Sequence, residues 1–297
     1  MRNPDFFIVG AARSGTTSLW QYLNQHPSIF MPSDLAYKEP AYFAELYGIN
    51  NIEQYLSLFT DALPEQYIGE ASTAYLTAPE SPRKIFTDIP DAKIIIMLRN
   101  PIERAYSLYC WMAKEGYEYI CTFEEALKEE KKRRHTQDFK FNNPENYYNY
   151  LYFHSGLYCE QILRYIEVFP RNQIHIILFD AFFKDSLKVT KDVYRFLGVE
   201  PSFTPQVGIH NISGSVHSIK VQFGIRKFMN SNIKFIPQRV RNSLGRILLA
   251  LNTKSTQPPG MVPGTRERLQ KQYKSDIIKT GEIISEDLSQ WLLPFST

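Results

Sequence analysis

The sequence is poor in the residues that build disulfide frameworks and metal sites. It contains three cysteines, Cys110, Cys121 and Cys159, and they lack Cys-x-x-Cys spacing. The six histidines form no His-x-x-x-His pair. These absences exclude a disulfide-rich scaffold and give no support to a zinc site. We therefore predict buried free thiols and no bound metal.

Long apolar runs and a strong excess of one charge are also missing. No stretch of about 18 apolar residues occurs, so no membrane span is predicted. Lys and Arg number 34 against 31 Asp and Glu, a net charge of +3, and no zinc-finger or RNP-type pattern is present. We therefore expect a cytoplasmic protein that does not bind nucleic acid. The short basic runs 131–135 and 239–241 are either solvated helix faces or contacts to an anionic glycan; the sequence says nothing about oligomeric state.

What the sequence does contain is an alternation of apolar runs and helical patterns. Strands are predicted at 6–10, 67–70, 93–98 and 174–179. Helices are predicted at 16–25, 51–60, 81–88, 101–114, 123–134, 147–168 and 186–197, with a loop or acceptor-side insertion at 135–147. This order predicts an α/β fold, a P-loop-like parallel sheet flanked by helices. We expect one domain over 1–297, with a core at about 5–200 and a helical lid region at about 201–297.

A glycine-bounded loop follows the first predicted strand, with the sequence Gly10-Ala11-Ala12-Arg13-Ser14-Gly15-Thr16-Thr17. Backbone N–H groups in such a loop, together with the positive end of the next helix dipole, favour a phosphate or sulfate. The spacing matches the nucleoside-triphosphate P-loop in its two glycines, but Thr16 occupies the lysine position. The pattern therefore indicates either a phosphate-bearing donor other than a nucleoside triphosphate or simply a tight reversal of the chain.

A second motif follows the apolar run 93–98, where Arg99-Asn100-Pro101 precedes a helical pattern. Pro101 suits the first helical turn and Asn100 suits its cap. Arg99 then stands at the carboxyl end of a strand, where open α/β sheets bind ligands. With Ser107, two turns along the helix, it is placed to hold one phosphate; the alternative is an arginine that caps the sheet and an ordinary surface serine.

Together, these segments resemble the sulfotransferases that use 3′-phosphoadenosine 5′-phosphosulfate, especially the branch of heparan-sulfate sulfotransferases and their bacterial relatives. Residues 9–27 resemble that family's 5′-phosphosulfate loop and following helix, and residues 98–109 resemble its 3′-phosphate site. Further blocks follow in the same order, at 38–43, 69–75, 156–158, 165–170, 196–198 and 287–292. The resemblance covers nearly the whole chain and is weakest between about 200 and 262.

The resemblance implies roles for particular residues. Arg13, Ser14, Gly15, Thr16 and Thr17 would hold the 5′-phosphosulfate, and Arg99 with Ser107 the 3′-phosphate, leaving adenosine 3′,5′-bisphosphate as product. In the segment Lys38-Glu39-Pro40-Ala41-Tyr42-Phe43, Glu39 would act as the base and Lys38 as a second cation. Residues 211–220 would close over the donor. The acceptor would be a hydroxyl or amine, on a carbohydrate or glycolipid.

The chain departs from the eukaryotic branch at two lysines. Arg13 replaces the first, which keeps the charge but makes proton donation doubtful, and Ala71 replaces the second.

Three alternatives stay open at this point. His26 is a competing base, although its place at a helix end before Pro27 also suits a cap. A kinase would use Asp180 to bind magnesium. The third is an inactive glycan- or partner-binding protein with the same fold.

Overall fold

The computed structural model describes residues 2–32, 38–46, 48–208, 215–231, 235–254, 256 and 258–293, with only the main chain for 144–146. Its centre is a five-stranded parallel sheet in the order β2-β3-β1-β4-β5. The strands are β1 Phe6–Gly10, β2 Ile29–Phe30, β3 Tyr67–Ala71, β4 Lys93–Leu98 and β5 Ile174–Leu178; β6 Ser215–Val216 and β7 Thr253–Lys254 form a separate antiparallel pair.

Helices cover both faces of this sheet. In the first half they are α1 Thr16–Leu23, α2 Ile52–Ser57, α3 Ala74–Thr77, α4 Ser81–Asp88, α5 Pro101–Lys114, α6 Phe123–His135 and α7 Gln137–Asn142. In the second half they are α8 Tyr158–Ile166, α9 Phe179–Lys184, α10 Ser186–Leu197, α11 Ile219–Met229, α12 Gln238–Leu251 and α13 Pro263–Ile284. Short 3-10 turns occupy Pro144–Tyr150, His154–Gly156, Arg171–Gln173 and Ser289–Leu292. The predicted α/β class is confirmed.

The strands alternate their side chains between two apolar layers. On one face, Phe7, Ile94 and Ile96 join the larger cluster, which also takes in Leu269 and Tyr273 of α13. On the other face, Ile8 and Ile95 pack with α1 and α10. Strands buried on both faces read as continuous apolar runs, which is why these segments were recognisable in the sequence.

Local signals account for the element boundaries. Asn100 accepts a hydrogen bond from the Ile102 N–H at 3.0 Å, and Pro101 opens α5 as expected. Gly198 ends α10 at a φ of 85°, in the left-handed region that favours glycine.

Several expectations about segments are wrong. The predicted helix at 147–168 is two 3-10 turns followed by α8, and the predicted loop at 135–147 contains α7. Glu130 accounts for the interruption of the predicted helix at 147–168. Its carboxylate accepts the N–H groups of Phe153 and His154 at 2.7 and 2.8 Å, so these groups do not form hydrogen bonds within a helix. β5 ends at Leu178, one residue before its predicted end. Helices α1 and α2 also end early, at Leu23 and Ser57 instead of the predicted 25 and 60.

The cysteines and basic runs also differ from expectation. The three thiols are free, but Cys121 is exposed and the other two are only partly buried. Arg133 and Arg241 are buried, so neither basic run is wholly a solvated face or a glycan contact. Among the described helices, none combines the length and the apolar character needed to cross a bilayer.

Candidate active site

The glycine loop connects β1 to α1 at the carboxyl edge of the sheet. Gly15 has a φ of 90°, and a Cβ there would lie 3.3 Å from the Phe179 ring and 3.4 Å from Met97. Both the backbone angle and the space therefore favour glycine. The first N–H groups of α1 have no partner within the helix, and no side chain caps it. Such unpartnered N–H groups at a helix start are available to an anion.

The hydroxyl residues of this loop lie where the sequence placed them. Thr16 and Thr17 form the first turn of α1, and Ser14 precedes the Gly15 cap. Ser14 and Thr16 are buried, whereas Thr17 is partly buried. All three belong to the same short turn as the unpartnered N–H groups, so one anion above the turn would meet both sets of donors.

Arg13 connects the loop to α5. Its Nε donates to the Ser107 hydroxyl at 3.2 Å, although the two residues are 94 positions apart. Burial and the neighbouring positive charge of Arg99 lower the pKa of Arg13 to about 10. The arginine remains a cation at neutral pH, and an anion bound beside it would relieve the repulsion.

Arg99 completes a cationic cluster at the end of β4. Its Nη1 donates to the Arg13 carbonyl at 3.1 Å, and its guanidinium lies 4.7 Å from the centre of the Phe179 ring. Burial lowers the pKa of Arg99. The loop and the second motif are therefore in direct contact, and Arg99, Arg13 and Ser107 stand within reach of one ligand.

Glu39 and Lys38 lie as an ion pair, with Lys38 Nζ 2.9 Å from Glu39 Oε1. Glu39 Oε2 also accepts from the Thr73 hydroxyl at 2.8 Å and from its N–H at 3.2 Å. Burial by itself would raise the pKa of Glu39, but Lys38 and the Thr73 hydrogen bonds outweigh it and hold the pKa below its usual value. Glu39 is therefore ionised at neutral pH, and 29% of its side chain is exposed.

Thr73 also ties Glu39 to the glycine loop. A Cβ on Gly10 would lie 3.2 Å from the Thr73 carbonyl oxygen and 2.7 Å from Leu76, so the chain following β3 packs directly on the start of the loop. In the sheet, β1 lies between β3 and β4. Glu39 therefore lies on the β3 side of the loop. The Arg99 cluster lies on its β4 side.

A buried carboxylate that sequence reasoning missed supports the Glu39 segment. Glu70 accepts hydrogen bonds from the hydroxyls of Tyr55 at 2.5 Å, Ser72 at 2.5 Å and Tyr75 at 3.1 Å. The Ser72 and Tyr75 oxygens in turn accept the N–H groups of Ala41 and Phe43, at 2.9 and 3.2 Å.

This network holds the backbone directly after Glu39. Ala41 has a φ of 50°, a left-handed angle that costs a residue with a Cβ about 1 kcal/mol or more. Burial raises the pKa of Glu70 to about 7 despite the three donors. A glutamate among hydroxyl residues in 70–75 was the available sequence signal, but it does not reveal the partners.

The described part of the predicted lid, Ser215–Lys220, lines a cavity of about 600 Å³ with Tyr106 and Cys110, which flank Ser107 on α5. Residues 211–214 of that lid lie outside the described part of the chain. A larger cavity of about 940 Å³ lies beside Tyr42 and Phe43. Neither Glu39 nor the donor-binding candidates line either cavity, and the smaller cavity is the one next to the predicted lid.

The alternative base His26 does not fit the geometry, and Asp180 of the kinase alternative has a structural partner. His26 is buried and accepts the Ser28 N–H on Nδ1, so Nε2 carries the proton donated to the Glu200 carbonyl. It packs against Tyr194 at the far end of α1 and has no free nitrogen to act as a base. Asp180 accepts a hydrogen bond from the Trp291 indole at 3.1 Å, which gives it a structural role.

Fold and site together define a parallel α/β protein whose glycine loop has the spacing of a P-loop but lacks its lysine. A model of the sulfotransferase domain matches residues 3–223, and the chain belongs to that family. The predicted resemblance is thereby confirmed. A sulfotransferase crystal structure from Alicyclobacillus acidocaldarius is 29% identical, with a TM-score of 0.72, and covers 98% of this chain and 99% of that one.

Several other relatives match this chain over only a part of their own length. Bifunctional heparan sulfate N-deacetylase/N-sulfotransferase 4 of Mus musculus is 29% identical over 69% of this chain and 24% of that protein. Heparan sulfate glucosamine 3-O-sulfotransferase 5 of Homo sapiens is 27% identical over 67% and 54%. Membrane-associated sulfotransferase kil1 of Dictyostelium discoideum is 39% identical over 36% and 22%. The chain spans about a quarter of the length of the first such relatives it matches.

Proposed function

We propose that this chain transfers a sulfuryl group from 3′-phosphoadenosine 5′-phosphosulfate to an acceptor hydroxyl or amine. The observation that carries the proposal is the contact of Arg99 with the Arg13 carbonyl and of Arg13 with Ser107, which joins the glycine loop to the second motif. A donor with phosphate-type groups at both ends of one nucleoside fits such a joined pair of anion sites.

Each residue then has a role in holding the donor. Gly15, Thr16, Thr17 and Ser14 offer N–H and hydroxyl donors to the 5′-phosphosulfate, with Arg13 as the nearest cation. Arg99 and Ser107 hold the 3′-phosphate. An anion would stabilise both arginines, because burial disfavours the charge of each and Arg99 also repels Arg13.

The transfer needs no covalent enzyme intermediate. The acceptor oxygen or nitrogen forms a bond to sulfur while the bond from sulfur to the bridging phosphate oxygen breaks, and that oxygen keeps the electron pair. Glu39 takes the acceptor proton, and Arg13 with Lys38 stabilises the charge that develops on the leaving phosphate. The ionised state of Glu39 at neutral pH suits this role.

We further propose a glycan or glycolipid as acceptor. The support is the match to two kinds of heparan sulfate sulfotransferase over about two thirds of this chain. A screen with labelled donor against glycans, glycolipids, phenols and steroids tests it. Transfer to phenols or steroids alone would rule out the carbohydrate class while leaving sulfuryl transfer intact.

Calorimetry with adenosine 3′,5′-bisphosphate tests the donor assignment. Arg99→Ala should weaken binding about tenfold or more, because it removes charge-assisted hydrogen bonds to a phosphate. The exposed Arg195→Ala is the matched control and should leave binding unchanged. Tight magnesium-dependent ATP binding without affinity for the bisphosphate would instead favour a kinase.

Turnover separates the base from the donor site. Glu39→Gln should retain bisphosphate binding and lose roughly 10²-fold or more in kcat, the usual contribution of a general base. Unchanged turnover would remove Glu39 from that role. If the protein binds the bisphosphate but transfers sulfate to no acceptor in the screen, the alternative of an inactive binding protein would be supported.

A further inference from the structure

An apolar stripe runs along the exposed face of α12. Its residues recur at the spacing of one helical face, and several are more exposed than large apolar side chains usually are, with Ile247 at 59% and Leu251 at 73%. The stripe consists of Val240, Leu244, Ile247, Leu248 and Leu251, and Phe235, 96% exposed, precedes the helix. No described residue covers this face.

The opposite side of α12 packs against α11, and these two helices, residues 219–229 and 238–251, form a helical hairpin. Gly245 lies so close to Met229 that a Cβ would come within 2.2 Å of its side chain. The hairpin is anchored on the end of α5, because Gln222 donates to the Lys114 carbonyl at 2.6 Å and Arg226 to the Glu115 carbonyl at 2.7 Å. The apolar stripe is therefore the outer face of a docked hairpin.

The hairpin is also strongly basic. Between residues 219 and 251 the sequence has no Asp or Glu and carries Lys220, Arg226, Lys227, Lys234, Arg239, Arg241 and Arg246. Arg241 is buried and Arg226 pairs with Glu115, so these two serve the hairpin itself. Lys220, Lys227, Arg239 and Arg246 are exposed.

We infer that the hairpin docks on a membrane surface that carries anionic lipids. A helix with apolar residues on one face and Lys or Arg beside them lies in the lipid interface, where the apolar face enters the acyl boundary and the cations meet headgroup phosphates. The inference does not depend on sulfuryl transfer.

Two other occupants fit less well. A second copy of the chain would bring two basic, acid-free surfaces together, which like-charge repulsion opposes. A sulfated glycan would satisfy the cations but would leave the stripe of aliphatic side chains without a partner.

Vesicle co-sedimentation of the full chain tests the inference. The protein should bind vesicles with about 30% phosphatidylserine at about 0.1 M salt and lose most of that binding on neutral phosphatidylcholine vesicles. The double variant Arg239→Glu/Arg246→Glu should weaken binding roughly 25-fold or more, since each cation near an anionic surface contributes about fivefold. The double variant Ile247→Ser/Leu251→Ser should weaken it roughly tenfold or more.

Matched variants elsewhere guard against general effects. Leu63→Ser/Phe141→Ser removes two similarly exposed apolar side chains, and Lys131→Glu/Arg134→Glu reverses two exposed charges on α6; both should bind vesicles like the parent. Circular dichroism confirms that each variant is folded. Equal binding to neutral and anionic vesicles, no binding at all, or an apolar-stripe variant that loses only self-association would each overturn the inference.

Discussion

Lys38 sets the electrostatic environment of the candidate base. Its ammonium is almost fully buried and lies 2.9 Å from Glu39, so the carboxylate is stabilised in its charged form. This interaction keeps Glu39 ionised but also makes it a weaker base. The balance between the two effects is open to measurement through the pH dependence of turnover.

Lys38→Met keeps the volume and removes the charge. Without the ammonium, the pKa of Glu39 should rise, because the largest opposing influence is burial. Since the base must be ionised, the acidic limb of the kcat/KM profile should move to higher pH. Lys84→Met, at a surface pair with Glu45, should leave the limb in place. An unmoved limb in Lys38→Met would contradict the coupling.

Gly15 is a second residue whose identity is set by its backbone. Gly15→Ala should destabilise the fold by about 1–2 kcal/mol, because its φ of 90° is costly for a residue with a Cβ. It should also weaken bisphosphate binding, since the loop must shift away from Phe179. Thermal unfolding and calorimetry measure the two effects. Gly264→Ala, where a Cβ meets nothing within 4 Å and alanine suits the helix, is the control and should neither destabilise the fold nor weaken binding.

At the scale of elements, the end of β3 and the Glu39 segment are joined by hydroxyl groups rather than by a sheet ladder. Glu70 lies at the centre of this arrangement, and Ser72 and Tyr75 relay its hydrogen bonds to the main chain of residues 41 and 43. A positive φ at Ala41 persists because these bonds hold the chain on both sides of it.

Glu70 should make stability depend on pH. Its folded pKa is raised to about 7 from 4.5, so the folded state binds the proton more tightly than the unfolded state. Its contribution to the free energy of unfolding is therefore fully present below pH 4.5 and is lost as pH rises towards 7. Relative to Glu70→Gln, the parent should lose about 2 kcal/mol between pH 5 and 8, at 1.36 kcal/mol for each pKa unit.

Denaturant unfolding across that pH range measures the difference. As a control at an exposed position, Glu65→Gln should have a free energy of unfolding that changes with pH as that of the parent does. A Glu70→Gln curve that also stays parallel to the parent would show that Glu70 has an ordinary pKa.

At the scale of the whole molecule, a buried ion pair joins segments that are distant in sequence. Arg133 of α6 contacts Glu118 with two hydrogen bonds of 2.8 and 2.9 Å, and the Tyr152 hydroxyl donates to the same carboxylate at 2.7 Å. Together they tie α6 and the turns around residue 152 to the chain that follows α5.

Glu118→Ala should destabilise the protein by about 3–5 kcal/mol, because it leaves a buried arginine without its counter-charge. Chemical denaturation measures the loss. Glu129→Ala, which breaks the exposed pair with Lys132, should cost less than about 1 kcal/mol. Similar losses in the two variants would mean that the Glu118 pair is not the structural tie we infer.

The sequence by itself determined the elements whose signals are local. The apolar run predicted the bounds of β4, because burial on both faces shows directly in the sequence of a strand. Asn100 and Pro101 predicted the start of α5, because capping acts within a few residues. The glycine loop was recognisable for the same reason. The order of these motifs also sufficed for the family.

Only the tertiary structure decided which residues meet. The pairing of Arg13 with Ser107, the hold of Glu70 on the Glu39 segment and the burial of Arg133 and Arg241 all depend on partners distant in sequence or on how helices pack. The 3-10 turns near residue 153 likewise follow from the Glu130 carboxylate on α6. Periodicity describes one segment at a time, whereas these contacts arise when strand order and helix packing bring separate segments together.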